Sequence, residues 1–132
     1  RRKEKEKELS MTISRIHSTT ISVSDQDAAL DFYTNTLGWE KAMDAMFGEG
    51  MRFLSVVPTG ATTQLVLAHQ SWGGETAGNT GISLVTSDID ATYEALSAKG
   101  VTFKQPVETM PWGQKATWFS DHDGNDYFLV EE

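Results

Sequence analysis

A chain of 132 residues has room for one domain with a core of its own, so it requires neither a disulfide nor a structural metal for stability. The absence of cysteine excludes disulfides, thiol catalysis and thiolate zinc sites. A formal net charge of −8 at pH 7 disfavours binding to phosphate backbones, and no apolar run is long enough to span a membrane. We therefore expect a soluble cytoplasmic protein whose partners include neither nucleic acid nor a membrane.

The first ten residues, RRKEKEKELS, carry closely spaced charges of both signs and cannot bury apolar surface. We predict a disordered tail, either native or left over from expression, at residues 1–10 and a single domain over residues 11–132. Removing the five basic and three acidic residues of this tail takes the formal charge from −8 to −10. The simplest role of that charge is solubility.

The segment from Thr19 to Val23 alternates polar and apolar residues, which predicts a half-buried strand. A helix is predicted to follow, because Ser24 or Asp25 can cap its first turn and acidic residues suit that position. Gly38 marks the expected end of the helix, since glycine favours the left-handed conformation found just after helices.

The pentapeptide that begins at Ser24, SDQDA, recurs at Ser87 as SDIDA. The second copy also follows an alternating strand and opens a helix that is predicted to end at a glycine, Gly100. Three further strand-like runs come after each helix, at 39–46, 51–57 and 64–68 and again at 101–104, 115–120 and 127–131. The chain is therefore predicted to be α+β, with two tandem βαβββ modules at 13–69 and 81–131 joined by a linker at 70–80.

The motifs SDQDAALDFYTNTLGW and SDIDATYEALSAKGV, with the closing segment DHDGNDYFLVE, resemble the vicinal oxygen chelate superfamily. That superfamily includes glyoxalase I, extradiol dioxygenases, fosfomycin-modifying enzymes and the bleomycin resistance proteins. The resemblance covers residues 13–131. It implies two curled mixed sheets around a central cavity, usually in a homodimer, but it does not define an activity because the fold supports many chemistries and also pure binders.

Metal-dependent members of this superfamily hold an ion with histidine and glutamate side chains at four equivalent strand positions. The resemblance equates those positions with Ser18, Gln64, Gly81 and Phe128 of this chain. Glycine and phenylalanine offer no ligand, and a neutral hydroxyl and amide bind hard cations poorly without a carboxylate. The resemblance therefore implies a member that lacks the usual metal ligands, and we expect no cofactor.

His17 could replace a missing ligand only if it faced the cavity. Side chains alternate across a strand, so His17 shares a face with Ile21 and Val23, whereas Ser18 and Thr20 face the cavity. The opposite phase would place hydroxyls beneath the helix at a cost of about 1–3 kcal/mol each. We predict that His17 is a strand-end or packing residue.

The predicted ligand pocket combines hydroxyl and amide groups with aromatic walls. Trp72 and Trp112 are candidates for stacking surfaces, with packing as the alternative, and Phe47 is a candidate for a lip beside a glycine-rich hairpin. Arg52 either pairs with an anionic ligand or forms a surface salt bridge. The predicted ligand-binding set is Ser18, Thr20, Phe47, Arg52, Gln64, Trp72, Trp112 and Phe128.

Our first hypothesis is a homodimer that binds a small aromatic organic molecule in a metal-free cavity, for sequestration or resistance. The alternative is a metal-dependent glyoxalase-like lyase, isomerase or dioxygenase that uses non-standard ligands drawn from His17, His69, His122 and Glu75. A third possibility is a metal-free enzyme that uses one of four carboxylates, Glu49, Glu75, Glu108 or Asp121, as a base in the same cavity, and their spacing does not select among them. The sequence does not decide whether the protein is an enzyme.

Overall fold

The computed structural model describes residues 12–72 and 76–132 and shows an α+β fold with two mixed sheets. The predicted tail at residues 1–10 lies outside the described residues, as does Glu75. No helix within the two described ranges is both long enough and apolar enough to cross a lipid bilayer.

The first sheet is built from residues 18–69. The elements are β1 (Ser18–Val23), α1 (Gln26–Asp31), β2 (Glu40–Met46), β3 (Arg52–Val57) and β4 (Gln64–His69). The strands run in the spatial order β1-β4-β3-β2, with β1 parallel to β4 and the other neighbours antiparallel. A π-helical turn at Phe32–Thr36 extends α1, and a short 3₁₀ turn at Gln70–Trp72 follows β4.

The second sheet repeats this arrangement. The elements are β5 (Asn79–Thr86), α2 (Ile89–Ala98), β6 (Thr102–Phe103), β7 (Glu108–Thr109), β8 (Lys115–Ser120) and β9 (Asp126–Glu131). The strands run in the order β5-β9-β8-β6, with β5 parallel to β9. The short strand β7 pairs with β8 and was not predicted from the sequence, but the predicted order of the other elements in both repeats is confirmed.

The repeated pentapeptide caps both helices in the same way. The carboxylates of Asp25 and Asp88 each accept a hydrogen bond from the backbone N–H three residues later, at 3.0 and 3.1 Å. The structure thus selects Asp25 rather than Ser24 as the first cap. Gly38 and Gly100 follow the two helical segments with φ of 78° and 89°, as predicted for helix ends.

The α-helical part of the first helix is shorter than predicted. The Thr34 hydroxyl donates to the Leu30 carbonyl at 2.7 Å, which competes with the backbone for that acceptor. The backbone then changes to a wider turn, in which the Leu37 N–H donates to the Phe32 carbonyl five residues earlier.

The two sheets share one hydrophobic core. Ile21 and Val23 are 3% and 1% exposed whereas Thr20 is exposed, which confirms the predicted phase of β1. The inner face of the second sheet contributes to the same core through β8 and β9. The buried core residues are Ile21, Val23, Ala29, Phe32, Tyr33, Leu54, Val56, Leu65, Leu67, Ile89, Val101, Phe119, Tyr127 and Leu129.

A buried network, here called the Tyr33–Asp121 cluster, links the two modules. The Tyr33 hydroxyl lies 2.7 Å from Asp121 Oδ2 and 2.6 Å from the Tyr127 hydroxyl. Because a carboxylate only accepts, Tyr33 donates to Asp121 and Tyr127 donates to Tyr33. Asn125 Nδ2 donates to Asp121 Oδ2 and to the Ser22 carbonyl, both at 2.9 Å. Burial, helped by Tyr127 and Asp121, raises the pKa of Tyr33, so the phenol stays protonated.

Replacing Tyr33 with phenylalanine should destabilise the protein by about 1–3 kcal/mol, because Asp121 would lose a buried donor. The measurement is the free energy of unfolding in denaturant at pH 7. Tyr93→Phe is the matched control, because the Tyr93 hydroxyl has no hydrogen-bond partner among the described residues. Equal stability of the two variants would show that the cluster contributes nothing to the fold.

Candidate functional site

The first sheet has an outer face, here called face one, that turns away from the shared core. It combines hydroxyl and amide groups on β1, β3 and β4 with apolar side chains on β2 and β3, in the register set by the strand pairing. Charge is confined to its margin, where Glu40 stands opposite Val57. Face one consists of Ser18, Thr20, Ser22, Met43, Ala45, Phe53, Ser55, Gln64, Val66 and Ala68.

The second sheet has an equivalent outer face, here called face two. Trp118 and Phe128 lie opposite each other in the ladder, and their ring centroids are 5.0 Å apart. The charge beside this face is neutralised at one end, where Lys104 Nζ lies 2.7 Å from Asp126 Oδ2. Face two consists of Ser83, Val85, Ala116, Trp118, Phe128 and Val130.

Within the described residues, Gln64 of face one and Ser83 of face two line one small cleft, and the shared core separates the remainder of the two faces. Side chains alternate along each strand, and the alternate residues of both sheets are already packed into the one shared core. Ser18, Thr20 and Gln64 therefore point away from this core on one side, and Phe128 points away from it on the other. Within the described chain, face one and face two are two half-sites, in which the other members are half-buried or exposed and the buried members are Ser55, Val66, Ala116 and Val130.

The single chain also forms clefts between its modules. One, of about 430 Å³, is largely apolar and is lined by residues that include Trp39, Pro58 and Leu84. Another, of about 330 Å³, is polar and includes Thr20 and Asn125 in its lining. A third cleft, of about 190 Å³, is largely apolar and includes Gln64, Trp39 and Ser83 in its lining. None of the three clefts includes Phe128 or Trp112, so none combines the predicted ligand-binding residues of both modules.

Three of the predicted ligand-binding residues lie together on face one. Ser18 pairs with Gln64 across β1 and β4, and Thr20 pairs with Val66 two residues further on. Ser55 donates a hydrogen bond of 2.7 Å to Gln64 Oε1 and is itself completely buried. This contact fixes the orientation of the Gln64 amide.

Phe47 and Trp72, predicted separately as a lip and a wall, are brought into contact. Their ring centroids are 6.2 Å apart in an edge-to-face arrangement, a geometry that aromatic rings prefer. The Phe47 N–H donates to the Met51 carbonyl at 2.8 Å, which closes the hairpin between β2 and β3. The pair lies at the end of the first sheet where β4 finishes, opposite the end that carries Gln64.

Trp112 is 64% exposed and precedes β8 in the second module. Its Nε1 donates to Gln114 Oε1 at 3.0 Å, and Gln114 Nε2 donates to the Glu131 carbonyl at 3.0 Å. The indole is thus oriented by hydrogen bonds while its ring remains open to solvent, which leaves it available for stacking.

The structure favours the salt-bridge interpretation of Arg52 over a ligand contact. Its guanidinium donates to both carboxylate oxygens of Asp44, at 2.8 and 2.9 Å, and to Asp27 at 2.8 Å. Hydrogen bonds to Asp44 and then to Asp27 raise the pKa of Arg52, and the same contact lowers the pKa of Asp44. Arg52 therefore anchors the β2–β3 hairpin to α1, and its charge is already neutralised.

The three histidines lie apart from face one. His17 precedes β1, and its carbonyl accepts from the Gln64 N–H at 2.9 Å. His69 Nδ1 accepts from the Ser71 N–H at 3.1 Å and lies 2.7 Å from the Ser71 hydroxyl. The exposed ring of His122 packs edge-on against Phe32, 5.0 Å away between centroids.

Trp118 and Ser55 lie in these faces but were not predicted from the sequence to do so. Trp118 was not among the predicted ligand-binding residues, yet it forms the aromatic surface of face two together with Phe128. Side chains two residues apart in a strand lie on the same face of the sheet, so Trp118 shares a face with Ala116, and Ser55 shares a face with Phe53. This alternation could have identified both residues from the sequence. Asp121, a candidate base, is instead fully occupied by the Tyr33–Asp121 cluster.

Comparison with known proteins identifies the family. The family model of the glyoxalase/bleomycin resistance protein/dioxygenase superfamily matches residues 15–127. The chain belongs to this superfamily.

Relatives of known sequence or structure support the assignment. A superfamily member from Sphaerobacter thermophilus DSM 20745 is 58% identical with a TM-score of 0.87, over 91% of this chain and 98% of that one. TnmS3, described as an antibiotic binding protein from Streptomyces sp. CB03234, is 36% identical with a TM-score of 0.78, over 92% and 98% of the two chains. The uncharacterized protein YetH of Bacillus subtilis (strain 168) is 33% identical over 120 residues, or 90% of this chain and 99% of YetH.

In this chain, the residues at the metal-ligand positions of the family do not fit a metal ion. Gln64 Oε1 is engaged by Ser55, and Gly81 and Phe128 have no donor atom to offer. Among residues 12–72 and 76–132 there is no group of three or more histidine, aspartate or glutamate side chains that could hold an ion.

Replacing Arg52 with glutamine should lower stability by about 1 kcal/mol at pH 7, because it removes the ion pairs to Asp44 and Asp27. The pKa of Asp44 is lowered in the folded state, so the stabilisation is complete above its ordinary value of 3.8 and is lost as pH falls below it. The measurement is denaturant unfolding between pH 2.5 and 7. Lys41→Gln is the control for the loss of one positive charge near Asp44, because Lys41 Nζ lies 3.8 Å from the same carboxylate, farther than the Arg52 guanidinium. A difference that persists unchanged at low pH would contradict the ion-pair assignment.

Proposed function

We propose that the protein is a homodimer that binds a small aromatic organic molecule in a metal-free cavity, closed between face one of one protomer and face two of its partner. The proposed role is sequestration of that molecule, in the cytoplasm, with resistance as the benefit. The observation that carries the proposal is the pair of outward-facing half-sites, one with hydroxyl and amide groups and the other with an aromatic pair.

Both half-sites leave apolar side chains in water. Met43 on face one is 52% exposed and Val85 on face two is 59% exposed, and Phe47 and Trp112 beside them are 46% and 64% exposed. Apolar surface concentrated in this way is typical of interaction sites. The centre of each face carries no charged residue among those described, and charge lies at the margin, which is the usual composition of a protein interface.

The chemistry of the half-sites suits a flat, weakly polar molecule. Trp118 and Phe128 supply aromatic surface, on which ring systems stack in offset or edge-to-face geometry. Ser18, Thr20 and Gln64 supply the few polar groups that orient a ligand in a mainly apolar cavity. The description of TnmS3 as an antibiotic binding protein, at 36% identity, supports the same kind of role for this chain.

The test is complementation between two binding-defective variants. Thr20→Arg fills face one with a long charged side chain, and Phe128→Ala removes an aromatic ring from face two. Each homodimer should lose binding of planar aromatic compounds, such as 9-fluorenone, by about tenfold or more. A purified heterodimer of the two variants should regain one ligand per dimer, because one of its two cavities combines an unaltered face one with an unaltered face two.

Binding should be measured by equilibrium dialysis, and the dimer by analytical ultracentrifugation. Thr62→Arg is the control, since Thr62 is exposed and lies outside both faces. A cavity contained in one chain would leave both cavities of the heterodimer defective, so failure of the heterodimer to regain binding would contradict the shared cavity.

A further inference from the structure

The Gln64 side chain on face one has its oxygen occupied and its nitrogen free. The buried Ser55 hydroxyl donates to Gln64 Oε1 at 2.7 Å. Gln64 Nε2 has no acceptor within hydrogen-bond distance in the described part of the chain. Because a primary amide carries two N–H donors on that nitrogen, the half-buried Gln64 has donors that no described residue uses.

The surroundings of this amide select the kind of acceptor that it can receive. A carboxylate ligand would enter a chain of net charge −8. Arg52, at the opposite end of the first sheet, is already paired with Asp44 and Asp27. An uncharged oxygen acceptor is not repelled by the negative charge of the chain. The apolar side chains of Met43 and Phe53 on the same face favour the flat ring system to which such an oxygen would be attached.

The length of the face is suited to a fused-ring molecule. Gln64 begins β4, and Trp72 with Phe47 lies beyond its last residue, His69. A strand advances about 3.3 Å per residue, so these two ends of face one are separated by about 17 Å. A ligand can therefore contact the amide with one edge while its rings lie over the remainder of the face.

We propose that the cavity is specific for neutral planar carbonyl compounds, and that Gln64 Nε2 determines this specificity by donating a hydrogen bond to the carbonyl oxygen. Ser55 acts as a positioning residue, since it holds the amide with its nitrogen outward. This inference rests on the proposed function and names the ligand class for the same cavity. A compound without the oxygen would leave the amide donors unpaired in a desolvated cavity, which is the usual origin of strong discrimination between analogues.

Three compounds with one ring skeleton test the inference: 9-fluorenone carries a carbonyl, fluorene carries none, and 9-fluorenol carries a hydroxyl. Equilibrium dialysis against the full-length wild-type protein gives the three dissociation constants. We expect 9-fluorenone to bind about three- to tenfold more tightly than fluorene, the range expected for one hydrogen bond. 9-Fluorenol should bind less tightly than 9-fluorenone.

Two variants connect this preference to the amide. In Gln64→Leu, which keeps a similar volume, the ratio of fluorene to 9-fluorenone dissociation constants should fall to about one, because 9-fluorenone binding weakens and fluorene binding does not. In Ser55→Ala the ratio should also fall, because the amide is no longer held. Gln105→Leu, a half-buried glutamine of the second module, is the control and should keep the wild-type ratio.

The possible failures are distinguishable. Equal binding of all three compounds, a wild-type ratio in Gln64→Leu, or tighter binding of 9-fluorenol than of 9-fluorenone would overturn the carbonyl preference and leave the aromatic-binding function standing. Absence of binding for all three compounds would overturn the proposed function and this inference together. Thermal unfolding of each variant, followed by circular dichroism, confirms that the compared proteins are folded.

Discussion

The shared core between the two sheets is the constraint on which the rest of the structure depends. The Tyr33–Asp121 cluster lies within it and joins the end of the first helix to the turn between β8 and β9. Asn125 extends the cluster to the Ser22 carbonyl on β1. Because the inner faces of both sheets form this core, no other described element packs over their outer faces. A single chain can therefore be fully folded while the outer faces of its two sheets remain uncovered.

Much of the fold could be predicted from local signals in the sequence. The repeated pentapeptide located both helices, since Asp25 and Asp88 cap them through identical contacts. The alternation of Ile21 and Val23 with polar residues gave the phase of β1, and this phase placed Ser18 and Thr20 on the outer face. These predictions succeeded because helix caps and strand alternation depend on a few neighbouring residues.

The remaining features depend on contacts between residues far apart in the sequence. Arg52 pairs with Asp27 and Asp44, which belong to different elements, so its local sequence could not exclude a ligand contact. The hydrogen bond between Ser55 and Gln64 likewise depends on the register in which β3 pairs with β4. The separation of face one from face two depends on how two sheets pack, which no local pattern encodes.

The most direct test of the shared cavity is a pair of distances measured by electron spin resonance. The chain contains no cysteine, so spin labels can be attached at Thr20→Cys on face one and Val85→Cys on face two without a background signal. A doubly labelled chain diluted with unlabelled protein gives the distance within a protomer, and a mixture of singly labelled chains gives the distance between protomers. We expect the distance between protomers to be the shorter of the two. A shorter distance within the protomer, or no coupling between protomers, would contradict a cavity built from two chains.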